Sequence, residues 1–525
     1  MEAAIVKHRR PYRISTVFHI IGVSWASASF GYSGSIIGTT LGQPSFLAYM
    51  GLDTNPNATQ LIGAMNALFY TGGFFGCFMV GYFADKYGRK AVLAGGVSLI
   101  LVSNALLAGS VNIAMFIVFR FFCGMGAHIA LTGVPLWITE IVPPKDRGVL
   151  SDIHTIFINV GYITASYVGV GFYFYKDASG KEWRGPLAIG CLPCLLCLVW
   201  LWFVPESPRY LLMKQRPEKA WEIVKTLHTR DDDPHHTFAT AEFYQMRKQL
   251  AFDRTLKSSY WEMFRRPSYR KRVFMACGLT FTLMSSGVLV INNYGTLLYR
   301  GLGYDTEQQL LFQAGWLAVS FACNVIAVIP VDRFARPTLL TVGLCGCLVA
   351  VVCEAALQAT YLGGTNKSGL AAGVAMLYVY VFFYAVCLDG PSYFYMGEIF
   401  PTHLRAQGMT LGVAALCLAN VIWLQAAPTA FSNIGWKFYL FFIFITAIGA
   451  LCVFFTFPDT LNKPLEEVAR LFGDDDLVVV YQRDIHVDEN TDEVIAEGKD
   501  GGVSHIETRD ETGPEELPEL SEVSK

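Results

Sequence analysis

The ten residues GYFADKYGRK (81–90) lie between one apolar stretch that ends near Val80 and another that begins at Ala91. Four charges, Asp85, Lys86, Arg89 and Lys90, are confined to a connection of a few residues between segments that carry almost none. A solvated turn would explain one such connection. Whether it is more depends on what the apolar stretches are, and on whether the pattern recurs.

Of the 525 residues, 53% are apolar and 16% are charged, and the mean hydropathy is positive. The apolar residues come in blocks, and a helix needs about 20 of them in succession to cross a bilayer core. Twelve blocks qualify, near 14–38, 61–83, 91–109, 113–138, 154–174, 185–203, 273–298, 311–330, 338–360, 370–396, 406–430 and 437–457. Helices buried in a soluble domain would show polar faces, and few of these have one. The chain reads as an all-α membrane protein of twelve spans. No short apolar segment with a small-residue cleavage site precedes residue 14, so span 1 is expected to be retained rather than removed as a signal.

Charge orients the spans. Lys7, Arg9, Arg10 and Arg13 precede span 1, Lys86, Arg89, Lys90, Lys145 and Arg147 fall in short even-numbered connections, and the 204–272 connection is strongly basic. Odd-numbered connections hold few such residues: Lys176, Lys181, Arg184, Arg300, Lys367 and Lys437. The positive-inside rule then puts both termini in the cytoplasm, with the plasma membrane the expected location. Two N-glycosylation sequons, at Asn57 and Asn366, fall in the connections after spans 1 and 9, on the side placed outside. Nearly all of the 13 cysteines lie within spans; Cys191, Cys194 and Cys197 have a metal-like spacing but read as small hydrophobes of span 6.

The opening pattern recurs. Asp85-Lys-Tyr-Gly-Arg89 follows span 2, and Asp332-Arg-Phe-Ala-Arg336 follows span 8, six spans later. Glu140-Ile-Val-Pro-Pro-Lys-Asp-Arg147 ends span 4, and Glu398-Ile-Phe-Pro-Thr-His-Leu-Arg405 ends span 10, both E-x-x-P-x-x-x-R. The chain is a duplicated bundle: a 1–13 terminus, a 14–203 half, a 204–272 linker, a 273–457 half and an acidic 458–525 tail, expected to lack fixed structure from about 474. Internal duplication of this kind marks transporters whose halves rock about a central site. Acids and arginines at helix ends can pair in one state and part in the other, which makes a two-state latch.

These residues also resemble the sugar porter family of the major facilitator superfamily, most closely its fungal members, over spans 1–12. GYFADKYGRK is similar to the family's motif between helices 2 and 3, and Arg120-Phe-Phe-Cys-Gly124 to the R-x-x-x-G of helix 4. PESPRYLL (205–212) and PDTLNKPLEE (458–467) resemble its tags after helices 6 and 12, and EIFPTHLRAQG (398–408) and NIGWKFY (433–439) look fungal. The resemblance implies a cytoplasmic helical domain over 204–272 and adds Arg120, Glu206 and Arg209 to the latch.

At the substrate positions implied by the family, this chain departs from it. Thr155 stands where helix 5 usually has Gln. Leu283, Met284 and Leu289 replace two Gln and an Asn around Gly287, Tyr393 replaces a Trp, and Asn420 is kept. A dry site must answer each substrate hydroxyl with a donor or acceptor. The expected solute is therefore a sugar, polyol or sugar-like compound with fewer hydroxyls than glucose or with a ring; a cyclic or acidic non-sugar metabolite is the alternative.

Proton-coupled members carry an Asp where this chain has Ser33. A coupling group must then be elsewhere, and an ionisable residue inside a bilayer is a functional candidate: Asp389 beside Gly390-Pro391, then His128, with His19 and Glu354 behind. The glycines at 72–73, 124 and 126 lack the setting of a phosphate loop and read as close helix packing. No nucleotide-binding domain, nucleophile–base pair or metal cluster stands out, so neither an enzyme nor an ATP-driven pump is expected, and no cofactor, metal or nucleic acid. Expected partners are a small solute, lipid and, in a symporter, protons, with the chain acting as a monomer. A nutrient sensor that keeps the fold is the rival of another class.

Overall fold

The computed structural model describes residues 14–142, 147–175, 180–228, 237–253, 256, 259–331, 333–361, 366–461, 463 and 467–474, with three short stretches at 485–487, 493–497 and 503–508. Among the described residues, eleven continuous helical stretches are long and apolar enough to cross a membrane. The last of them, Arg405–Thr456, contains two crossings, Arg405–Ile434 and Tyr439–Thr456, separated by a 3-10 turn at Gly435–Phe438. The twelve expected spans are therefore present. Only helices suit this role here, because every backbone polar group in a bilayer must be satisfied within the segment.

In the first half the spans are Ile14–Thr40, Ala58–Tyr87, Arg89–Ala108, Ile113–Ile141, Arg147–Phe174 and Arg184–Leu201. In the second they are Pro267–Arg300, Thr306–Val331, Arg336–Tyr361 and Ser368–Ile399, followed by the pair just named. Three spans are broken. Span 6 is split at Gly190 into Arg184–Ile189 and Cys191–Leu201. Span 7 is interrupted at Gly287, whose φ of 99° suits glycine alone, and restarts as Val288–Gly301. Span 10 widens into a π-helix over Ala385–Asp389 before resuming at Gly390–Ile399, an irregularity common at functional sites.

Close approach between helices fixes the bundle. A Cβ on Gly124 of span 4 would stand 1.8 Å from the Phe69 carbonyl oxygen of span 2, and one on Gly72 would stand 2.0 Å from that of Phe121. The two backbones meet at a distance no side chain permits, the small-residue packing of membrane helices.

The linker folds on itself. Leu211 and Leu212 of Pro208–Met213 pack with Ala220 and Val224 of Pro217–His228 and with Ala239 and Phe243 of Thr237–Asp253. The tail departs from the expectation of no fixed structure. Asp474 is buried and pairs with Arg272 at 2.7 Å, since a guanidinium withdrawn from water needs a carboxylate. Beyond it, Ile485–Val487, Glu493–Glu497 and Val503–Thr508 form a three-stranded antiparallel sheet. The β-branched residues Val494, Ile495, Val503, Ile506 and Thr508 favour the extended strands.

Because the Gly124 contact is with backbone, Gly124→Val is expected to cost more than about 3 kcal/mol and to remove most of the monodisperse protein from size-exclusion chromatography. Gly171→Val, where a Cβ meets nothing within 4 Å, should leave the yield unchanged. Equal yields of the two variants would contradict the packing account.

Candidate functional site

Two clusters occupy the helix ends beside the linker. In the first half, Arg89 opens span 3 and its guanidinium donates to Glu140, at the end of span 4, at 2.9 Å. It also lies 3.2 Å from Asp85 and donates to the Ala84 carbonyl at 3.0 Å. Glu206 accepts the backbone N–H groups of Arg89 at 3.1 Å and of Lys90 at 3.3 Å. An acid borrowed from the linker thus caps the start of span 3, where unpaired amides and the helix dipole favour negative charge. Burial pushes the Glu206 carboxyl upward, against the pull of the amides it accepts and of Arg89. The Ser207 hydroxyl hydrogen-bonds the other oxygen of Glu140.

The second half repeats the arrangement. Arg336 opens span 9 and its guanidinium reaches Glu398 at 3.4 Å and the Val331 carbonyl. Asp459 accepts the Arg336 backbone N–H at 3.1 Å, and Thr460 donates to Glu398 at 2.6 Å. Glu206-Ser207 and Asp459-Thr460 therefore do the same work, an acid capping a helix and a hydroxyl supporting a glutamate. Sequence reasoning missed Ser207, Asp459 and Thr460, although P-E-S at 205–207 and P-D-T at 458–460 are a visible repeat.

The other expected members of these clusters fare differently. Arg405 donates to the carbonyls of Gly397 at 3.0 Å and Phe400 at 3.5 Å, bracing the turn between spans 10 and 11. Arg209 sits in the short helix Pro208–Met213. Asp332 and the Arg147 side chain lie outside the described residues. Arg120 does not belong at this end. It is seven residues into span 4 from the opposite face, and twenty residues of helix, roughly 30 Å, separate it from Glu140. Its guanidinium donates to the carbonyls of Ser33 at 2.6 Å and Met65 at 3.3 Å and lies over the Phe69 ring. Among the described residues no carboxylate pairs with it.

Midway along the bundle, between the halves, lies a cavity of about 50 Å³. Met284, Leu289, Tyr393 and Asp389, all expected at the centre, line it. Thr155, Ser33, Leu283 and Asn420 are buried but do not. Ser33 is spent on span 3, its hydroxyl accepting from Asn104 at 3.0 Å. Of the four polar side chains expected to serve a solute, Ser33, Thr155, Tyr393 and Asn420, Tyr393 alone reaches it. Asn292, Ser320, Tyr70, Tyr162 and Tyr384 supply the polar edges instead, among Phe30, Val288, Trp316 and Leu416.

Asp389 is the hub of the polar groups. One of its oxygens accepts from the Asn159 amide of span 5 at 3.3 Å and from the Asn324 amide of span 8 at 3.2 Å. Asn159 in turn accepts from Ser320 at 2.8 Å. The network joins the two halves, because Asn159 belongs to the first and its three partners to the second. Asn159, Asn324 and Ser320 escaped sequence reasoning; a fully buried amide in a lipid-crossing helix was the available signal. His154 escaped it too: its Nδ1 is 2.6 Å from Ser27 of span 1, and its ring meets Tyr393 edge-on.

The remaining candidates lie off the cavity. His128 is 2.9 Å from the Gly124 carbonyl and is ringed edge-on by Phe30, Phe69 and Tyr70. Glu354 is buried and accepts from Gln358 at 2.6 Å. His19 is half-buried at the start of span 1. Asn57 and Asn366 are exposed at the ends of spans on the face opposite the linker. Among the described residues no metal-binding cluster occurs.

A duplicated bundle with paired charges at one face and a polar hub between its halves defines a two-half membrane transporter. The family model described as "Sugar (and other) transporter" matches residues 20–472, and the chain belongs to that family, whose members are transporters and not enzymes. It is 30% identical over 448 residues to the MFS-type transporter criB of Aspergillus cristatus, covering 85% of this chain and 90% of that one. It is 27% identical to the high-affinity glucose transporter of Kluyveromyces lactis, over 85% and 83%, and 26% identical to a probable quinate permease of Aspergillus clavatus, over 86% of each. Among solved structures, the proton:xylose symporter XylE bound to 6-bromo-6-deoxy-D-glucose shares the fold, with a TM-score of 0.75, 22% identity and coverage of 87% and 99%.

Glu140→Gln leaves Arg89 short of a carboxylate, and breaking a buried pair typically costs about 3–5 kcal/mol. The variant is expected to shift spin-label distances between the linker-side ends of spans 3 and 4 toward a longer population. An unchanged distance distribution there in Glu140→Gln, and between the corresponding ends of spans 9 and 10 in Arg336→Ala, would show that these clusters do not hold those helix ends together.

Proposed function

We propose that the chain carries a small ring-bearing solute with fewer hydroxyls than a hexose across the membrane by alternating access, with the Arg89 and Arg336 clusters as its cytoplasmic latch. The observation that carries this reading is the cavity wall. Aliphatic and aromatic faces make up about half of it, and of its seven polar side chains Asp389 and Ser320 are engaged with Asn159 and Asn324, which leaves Asn292 and four tyrosine hydroxyls for a solute. A hexose bound there would keep unmatched hydroxyls, at about 1–3 kcal/mol each. A quinate-like ring, or a cyclic metabolite with one acidic group, is easier to match, and the relatives' names span glucose and quinate. A sugar or polyol is the second reading, favoured by the tyrosine hydroxyls at the cavity edge.

The cavity of about 50 Å³ is far below the several hundred Å³ of a usual small-molecule site, so loading requires the halves to part. Asp389 is suited to couple that movement to protons. As a carboxylate it accepts amides from both halves and ties them together. Once protonated it is a poorer acceptor and gains a donor, so the tie to Asn159 weakens. The latch side is cytoplasmic in this reading, Asn57 and Asn366 face outward and accept glycans, and the plasma membrane is the site of action.

Uptake into proteoliposomes of a panel of hexoses, polyols and cyclic acids, with and without an inward proton gradient, tests both parts. A cyclic, sparsely hydroxylated solute should be preferred, and the gradient should stimulate its uptake. Asp389→Asn should lose at least about tenfold of that stimulation, equivalent to about 1.4 kcal/mol, while retaining solute exchange. Preference for hexose would overturn the solute class. Stimulation that survives in Asp389→Asn would remove Asp389 from coupling.

A further inference from the structure

The segment Val288–Gly301 has two faces with different surroundings. On one face Asn292 accepts from Ser35 of span 1 at 3.3 Å, and Thr296 donates to the Gly38 carbonyl at 3.2 Å. These bonds press the segment against the opposite half and close the path to the central cavity from the face away from the linker. Tyr294, Leu297 and Leu298 sit about 140–240° further around the helix and point the other way. Behind them is a second cavity of about 310 Å³, several times the volume of the central one. Its far walls are Ile62, Gln358, Pro428, Phe431 and Trp436.

Room behind a closed segment is what the segment needs in order to open. Val288–Gly301 is hinged at Gly287, the left-handed residue that starts it. To release span 1 it must swing away from Ser35 and Gly38, toward the space its back face borders. Protein interiors are otherwise close-packed, so the direction of that void is the direction of least resistance. Whatever fills the void holds the segment forward.

The lining states what would fill it. Apolar cavities of about 150 Å³ already accept benzene, and 310 Å³ admits a fused ring. The wall is aliphatic and aromatic, with Thr59 at its exposed edge and the Gln358 amide among it. The Gln358 Nε2 is engaged with Glu354 at 2.6 Å and with the Tyr439 hydroxyl at 3.4 Å, which leaves the amide oxygen to accept a bond. The Tyr294 hydroxyl is spent on the Leu424 carbonyl at 2.8 Å. We infer that the cavity behind Val288–Gly301 is a second small-molecule site, for a flat, weakly polar ring with one hydrogen-bond donor, and that its occupant locks the gate against span 1. Such a ligand inhibits without competing for the central site.

Purified full-length protein carrying Ser35→Cys tests this without knowledge of the transported solute. A charged maleimide reaches position 35 when the gate opens, and peptide mass spectrometry separates that thiol from the native cysteines. Indole is the probe. At about four times its dissociation constant it should slow labelling about fivefold, because it binds only the closed form. 1-Methylindole, which lacks the N–H, should act more weakly. Adding Leu298→Trp should slow labelling without indole and abolish the response to it, and Leu297→Phe provides a second filled cavity should the first variant melt early. Labelling that indole does not slow, or an undiminished response in both filled variants, would overturn the inference.

Discussion

A guanidinium withdrawn from water must be matched by acceptors inside the protein, and the way Arg89 and Arg336 are matched organises this molecule. Each lies at the first residue of a span, so its side chain and its backbone amide face the same small volume. A glutamate from the next-but-one helix end takes the side chain, and an acid from the segment leaving the half takes the amide. Three separate stretches of each half are thereby held at one point. Charges that are expensive to leave alone make the contact all-or-none, which is a property a mechanical latch needs and a hydrophobic contact lacks.

Arg120 shows the same constraint solved differently. With carbonyls and an aromatic face as partners, its charge is accommodated within its own half, as those of Arg89 and Arg336 are, but without a carboxylate. A neutral Ser33 beside it leaves no group there to take up or release a proton. Among the described residues Asp389 is a carboxylate that lines the cavity, and the amides of Asn159 and Asn324 reach it from either side. Proton chemistry, if it bears on the movement of the halves, has to act where both halves touch the same atom.

The spans, the duplication and the end clusters were legible in the sequence because each is written in contiguous residues: apolar length, a repeated D-x-x-x-R, a repeated E-x-x-P. The packing glycines were legible for the same reason; the break at Gly287 was not read from it. The central site was legible only in part: Met284, Leu289, Tyr393 and Asp389 were named, but the network around Asp389 was not. Asn159, Ser320, Asn324 and Asp389 come from three spans up to 230 residues apart, and no periodicity links them. Homologous position misled for Thr155 and Asn420, which are buried nearby but turned from the cavity, since a helix carries residues one turn apart to different depths. Arg120 was misplaced because a motif names a residue without giving its height in the membrane. The tail strands were hidden by the acidic composition around them.

Each half is rigid, knit by backbone contacts that exclude even a methyl group, so motion is left to the few places where packing is interrupted. Two of these lie in the second half and bracket the cavity: the left-handed Gly287 and the π-helix ending at Asp389. Leu289 and Asn292 follow the first and line the cavity with Asp389, so a ligand or proton at the centre acts directly on both interruptions. In the first half the interruption at Gly190 of span 6 does not border the cavity, and Gly31 and Gly161 bring spans 1 and 5 together at close range. The asymmetry assigns the roles. The first half is the abutment, and the gate must be hung on the second, with its hinge beside the solute and its free space behind.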